Sequence, residues 1–208
     1  MSDKYSDMTI RCGGRTFKTH KAIVCSQSSF FDKALNSSFK EGITNEVELP
    51  EDDPAAIRHM LEFMYKGDYS RVEESTAGCP DTDTQQKALA ATARPRRSGF
   101  KHLHAYLVAD KYDVRALRLL ALTRFYRAVE LTWMADEEFP DLVDELYATT
   151  TEQHQDLRDI VCRLVGFHLL DDHASAKKRM EPVMKKHGEF AMGVLDYYIL
   201  SVRGDCAW

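Results

Sequence analysis

No apolar run among the 208 residues approaches the length needed to cross a bilayer. The polar start Met1-Ser2-Asp3-Lys4-Tyr5 is followed by no hydrophobic stretch of signal-peptide length. A cytoplasmic or nuclear protein with no membrane partner is the expectation. Positive charge is also short. Against 33 Asp and Glu stand 28 Lys and Arg, a formal net charge of -5 with the two signs interspersed, so no broad cationic field faces a nucleic-acid backbone. Nucleic acid is therefore not an expected partner. The five cysteines, Cys12, Cys25, Cys79, Cys162 and Cys206, are odd in number and widely spaced, which fits reduced thiols packed as small hydrophobes better than a disulfide framework.

Catalytic signatures are absent as well. There is no Gly-x-Ser-x-Gly elbow, no phosphate-cradling glycine loop and no His-Glu-x-x-His element. His102, His104, His168 and His173 join no cysteines at zinc-site spacing. The sequence thus points to a non-enzymatic chain that needs no metal and no cofactor.

What the chain does hold is 44% hydrophobic and 29% charged residues, an ordinary globular composition. Met8-Thr9-Ile10-Arg11-Cys12 alternates apolar with polar, Gly13-Gly14 supplies a tight turn, and Arg15 to Thr19 continues with Phe17 inward, so a β-hairpin is predicted. Thr19 is placed to cap a short helix ending near Cys25. Ser29 with Asp32 resembles a capping box opening a second helix that carries Phe30, Phe31, Ala34 and Leu35. Glu46-Val47-Glu48-Leu49 alternates again and stops at Pro50, the mark of a third strand. Asp53-Pro54 opens a helix with the stripe Ile57, Met60, Leu61 and Met64, which Gly67 ends.

From residue 70 to residue 99 large apolar residues are too few to offset the entropy of ordering, and a disordered insert is expected. Its basic cluster, Arg94, Arg96 and Arg97, is a candidate nuclear-localisation signal beside the plainer reading of a solvated linker. Helical periodicity resumes with Leu103, Tyr106 and Leu107, breaks near Asp113, and returns with Leu117, Leu120, Ala121, Phe125 and Ala128. Beyond Trp133 the pattern is helical only, through Leu142 and Val143, Leu157 and Val161, and a last pair split by Gly188. A small helical bundle is predicted there, packed on the first core.

The order hairpin, two short helices, strand and three helices is carried by Ser6-Asp7-Met8, by His20-Lys21-Ala22-Ile23-Val24-Cys25-Ser26-Gln27-Ser28 and Phe30-Phe31, and by Leu49-Pro50-Glu51-Asp52-Asp53-Pro54. It continues through Met60 to Tyr69 and Ala109-Asp110-Lys111-Tyr112. This order resembles a BTB (POZ) domain, in particular the short BTB proteins of fungi. The resemblance implies an α+β fold, a small three-stranded sheet flanked by helices over residues 6–130, with an all-α extension over 131–208. It also implies a protein-binding module, many of whose relatives bridge a cullin to a substrate in a ubiquitin ligase through a hydrophobic-x-Glu motif. Phe39-Lys40-Glu41 occupies that motif's place, and Tyr112 matches an aromatic position that some adaptors also present to the cullin. The extra amino-terminal strand and helix that dimeric adaptors exchange are not found ahead of Met8, and no familiar substrate-recruiting domain follows the core. A cullin adaptor with an unidentified substrate is thus the first expectation. A self-associating scaffold or transcription-linked assembly protein that binds no cullin is the alternative.

Overall fold

The computed structural model describes residues 4–69, 98–133, 136–171 and 173–203. They fall into two compact units, one drawn from Met1–Ala88 and Lys101–Ala121 and the other from Leu89–Phe100 and Leu122–Trp208. Among the described residues no helix is long and apolar enough to cross a membrane.

The first unit is built on a three-stranded sheet in the order β2-β1-β3, with β1 at Met8–Cys12, β2 at Arg15–Thr19 and β3 at Glu46–Leu49. The hairpin pairs antiparallel with Ile10 opposite Phe17, while β3 runs parallel to β1 with Ile10 opposite Val47. Gly13 and Gly14 have φ of 50° and 75°, the left-handed pair that a two-residue hairpin turn demands. A side chain on Gly13 would also meet Pro54 Cγ at 2.4 Å, so the turn sits directly on the start of the helix after β3. Strand alternation turns Met8, Ile10, Cys12, Val47 and Leu49 into the core, whereas Phe17 is only half-buried.

Between β2 and β3 the structure has three short helices rather than two: α1 at Lys21–Val24, α2 at Ser29–Leu35 and α3 at Lys40–Thr44. Thr19 is not the cap of the first. It is wholly buried at the end of β2, and the α1 start is held instead by Asp7 Oδ1, which accepts from Lys21 N at 2.7 Å. The cap of α2 is Ser28, one residue before the predicted one, accepting from Phe31 N at 3.2 Å. Ser28 Oγ also donates to the Tyr112 carbonyl at 2.6 Å, and Ser29 Oγ donates to Asp113 Oδ2 at 2.6 Å. Both serines therefore fasten the α2 start to a distant helix junction. Ser28→Ala removes the cap and strands a buried carbonyl. We expect a loss of about 1–2 kcal/mol in urea unfolding, against near-neutrality for the exposed Ser38→Ala.

Helix α4, Pro54–Lys66, opens as the sequence indicates. Asp53 accepts from Ala55 N and Ala56 N at 3.0 and 3.2 Å, and Ile57, Met60, Leu61 and Met64 are buried. Helix α5, Ser98–Lys111, begins two residues inside the span assigned to the insert, and Leu103, Ala105, Tyr106 and Ala109 are buried along it. The rest of that insert, with Cys79 and the Arg94, Arg96, Arg97 cluster, lies outside the described residues. His102 is buried and shares a 2.7 Å hydrogen bond with the Tyr69 hydroxyl. Helix α6, Arg115–Thr132, buries Leu117, Ala121, Phe125 and Val129 at four-residue intervals.

The second unit continues with α7 at Phe139–Thr149, a single 3-10 turn at Glu152–His154, α8 at Gln155–Asp171, α9 at His173–Lys186 and α10 at Gly188–Arg203. Its core takes Leu142, Val143 and Leu146 from α7, Leu157, Val161 and Val165 from α8, Met180 from α9, and Phe190 and Val194 from α10. Arg158 is buried within it. Its guanidinium donates to the Thr150 carbonyl at 2.6 Å, to Thr150 Oγ1 at 3.1 Å and to Glu189 Oε2 at 2.8 Å, and lies 4.7 Å from the Tyr147 ring centre. Nearby, burial pushes the Cys162 thiol up to about 11, which keeps it protonated against the Tyr147 hydroxyl at 3.2 Å. Of the described cysteines, Cys12 and Cys162 are buried, Cys25 is half-buried, and none forms a disulfide.

Candidate protein-docking site

The segment Phe39-Lys40-Glu41 forms the start of α3. Phe39 is the N-cap residue in extended conformation, with φ -74° and ψ 172°, and its carbonyl accepts from Gly42 N at 3.1 Å and Ile43 N at 3.2 Å. Two further bonds close this one-and-a-half-turn helix. Thr44 Oγ1 donates to the Lys40 carbonyl at 2.8 Å, and Asn45, left-handed at φ 58°, donates its N–H to the Glu41 carbonyl at 2.9 Å.

Gly42 explains how so short a helix is seated. A Cβ there would stand 2.0 Å from the Ser37 carbonyl oxygen and 3.2 Å from that of Leu35, so only glycine lets α3 lie against the end of α2. The seat leaves the apolar side chains outside. Phe39 is 72% exposed and Ile43 is 75% exposed, four residues further along the same short helix. Glu41 is half-exposed, and its carboxylate has no hydrogen bond or ion pair among the described residues. Two large exposed apolar side chains thus belong to a short helix that buries none of its own residues, while Glu41, two positions from each, projects from a different side of it. Single exposed apolar residues are common, but an adjacent pair held on a braced element is a ready anchor for another protein.

Tyr112 does not join them. It is 1% exposed, lying in the turn between α5 and α6, with its ring stacked on Phe31 at 5.3 Å and 18° and edge-on to Phe30 at 4.9 Å and 74°. Its hydroxyl donates to Asp52 Oδ2 at 2.7 Å, and Lys111 Nζ reaches both Asp52 oxygens at 2.9 Å. Burial, then the bond to the Asp52 carboxylate, pushes the Tyr112 phenol well above its ordinary range, so it remains a neutral donor. Asp113 beside it is held below the usual carboxylate range by the hydrogen bonds from Ser29 and Arg115. The surface role expected for Tyr112 is thereby corrected to an interior one: it braces α2, the helix against which α3 is seated. Ile43 was absent from the sequence reading. Its signal was available, since it stands four residues from Phe39, but that spacing means something only once α3 is known to be a helix.

The described residues bring no group of three or more His, Cys, Asp and Glu together in an arrangement that could hold a metal ion.

Comparison with known proteins bears on the same segment. Residues 1–79 match the BTB/POZ domain family. The chain is 30% identical over 130 residues to BTB/POZ and MATH domain-containing protein 5 of Arabidopsis thaliana, which covers 62% of this chain and 30% of that protein. It is 28% identical over 75 residues to TD and POZ domain-containing protein 4 of Mus musculus, covering 36% and 20%. It is 30% identical over 64 residues to Kelch-like protein 30 of Homo sapiens, covering 31% and 11%. The chain therefore spans less than half the length of each of these relatives.

Proposed function

We propose that this chain, which carries a BTB/POZ domain at residues 1–79 and with it a protein-interaction module, acts as an adaptor that docks a cullin through Phe39, Lys40 and Glu41. The observation that carries the reading is the exposure of Phe39 and Ile43 on a helix braced through Gly42, with Glu41 half-exposed in its first turn. Similarity to a Kelch-like protein over 64 residues supports it. In this reading the BTB/POZ fold extends to about residue 130, and the helices over 131–208 hold the substrate.

Desolvating a Phe side chain contributes about 1.5–3 kcal/mol, which is enough to make Phe39 the dominant contact. Ile43 adds a second apolar anchor, and Glu41 fixes orientation by pairing with a donor on the cullin. The test is retention on a purified cullin amino-terminal domain. Wild type binds, and Phe39→Ala with Glu41→Ala loses at least tenfold in affinity. Ile43→Ala loses several-fold, and Phe39→Ala and Ile43→Ala keep wild-type stability because both side chains face solvent. Equal retention of wild type and the double variant would overturn the site. A wild-type chain that binds no cullin would overturn the adaptor reading and leave the self-associating scaffold in its place.

A further inference from the structure

Helix α10 buries one side and leaves the other apolar. Phe190 and Val194 are sealed in the core, but Met192, Leu195, Ile199 and Val202 are 59%, 45%, 38% and 60% exposed, with Leu200, 41% exposed, standing apart from them round the helix. At 100° per residue these four fall within an arc of about 80°, a straight stripe about 15 Å long. The spacing of the stripe is three, four, three, so it reads the same from either end. A two-fold axis through the position of Tyr197, perpendicular to the helix, places Met192 opposite Val202 and Leu195 opposite Ile199, so the stripe is complementary to itself.

The charges beside the stripe favour that same arrangement. Glu189, Asp196 and Arg203 are all exposed and follow one flank of it, Glu189 at the first turn and Arg203 at the last. In an antiparallel pair, like flanks face each other, so Glu189 of each copy meets Arg203 of the other, twice per dimer. Glu189 Oε2 is already bonded to Arg158, which fixes the carboxylate in place and leaves Oε1 for the new partner. Asp196 lies close to the axis and faces its own copy, a repulsion that holds the dimer weak. In a parallel pair, Glu189 would face the opposite flank and these pairs would be lost.

We propose that a second copy of this chain docks on α10 by antiparallel packing of the Met192, Leu195, Ile199, Val202 stripe, making a weak two-fold dimer. This contact does not depend on the cullin-docking reading: a chain that binds no cullin still dimerises here, and a monomeric variant still presents Phe39. The footprint is below that of permanent interfaces, and a dissociation constant of about 10–100 μM is in keeping with it.

Sedimentation velocity of the full chain from about 5 to 500 μM spans that range. The expected result is a rise from monomer to dimer mass. Leu195→Asp with Ile199→Asp abolishes the rise while leaving the circular-dichroism spectrum unchanged. Asp196→Asn shifts the midpoint several-fold to lower concentration. Orientation is read by mixing a Met192→Cys chain with a Val202→Cys chain under mild oxidation. The mixed 192–202 cross-link, identified by mass spectrometry, forms faster than either like-with-like link. A chain that stays monomeric throughout overturns the proposal. So does a dimer indifferent to the Leu195 and Ile199 substitutions, a weaker Asp196→Asn dimer, or preferential 192–192 linkage. If the double Asp variant loses its fold, the Asp196→Asn shift and the cross-link ratio decide the matter.

Discussion

Phe31→Ala will lower the unfolding free energy by about 3–5 kcal/mol, read as a fall in the urea midpoint by far-ultraviolet circular dichroism. Phe31 is completely buried on α2, and its ring lies face to face with Tyr112. Truncation removes the transfer energy of a whole ring and opens a cavity that cannot collapse. Tyr112 is held from the other side by its hydrogen bond to Asp52, and Asp52 is held in turn by Lys111. The neighbouring Phe30→Ala is the control. That ring is 40% exposed, and its removal will cost only about 1–2 kcal/mol. A Phe31→Ala midpoint within error of wild type would mean that the Phe31–Tyr112 stack does not support the first unit.

Arg158→Ala will cost about 2–4 kcal/mol, measured by the fluorescence of Trp133, which is buried in the same unit. The substitution deletes two hydrogen bonds to Thr150, one of them to its carbonyl, and the stacking on Tyr147. Thr150 is itself buried, so water does not freely replace those donors. Little of the cost comes from the ion pair with Glu189, whose side chain is 69% exposed and whose attraction is screened by solvent. Glu189→Ala at low protein concentration will therefore cost less than about 1 kcal/mol. A loss as large for Glu189→Ala as for Arg158→Ala would show that the ion pair, and not the Thr150 contacts, carries the stability.

The parts of this fold that sequence reveals are those whose signal is local. Alternation in Met8 to Cys12 and Glu46 to Leu49, the Gly13-Gly14 turn and the Asp53-Pro54 helix start each depend on neighbours in the chain, and each forms where expected. Thr19 misled because a threonine at a strand end and a threonine at a helix cap look alike until strand parity turns one of them inward. Helix α3 was missed for a related reason. Lys40-Glu41-Gly42-Ile43-Thr44 has no capping side chain and carries a glycine, so its helical state comes from being seated on α2, not from its own propensity.

The candidate site divides along the same line. Phe39 could be nominated from its place in a familiar order, and its exposure agrees with a contact role. The interior position of Tyr112 could not be read, because Phe31, Ser28 and Asp52 approach it from 60 or more residues away. Apolar residues recur all round α10, and periodicity alone does not say which apolar face the core takes. Phe190 and Val194 won that place, and the Met192 side was left over.

The parallel pairing of β3 with β1 has a kinetic consequence. The hairpin closes across two residues and forms in microseconds, but Thr9 meets Glu46 only after the intervening chain has been compacted. Helices α1 to α3 lie within that chain, and the left-handed Asn45 passes directly from α3 into β3. Pairing the last strand thus closes a long loop that includes the helix carrying Phe39 and Ile43. Helix α3 runs straight into the strand that completes the sheet, so substitutions in it are expected to change the folding rate as well as the surface it presents.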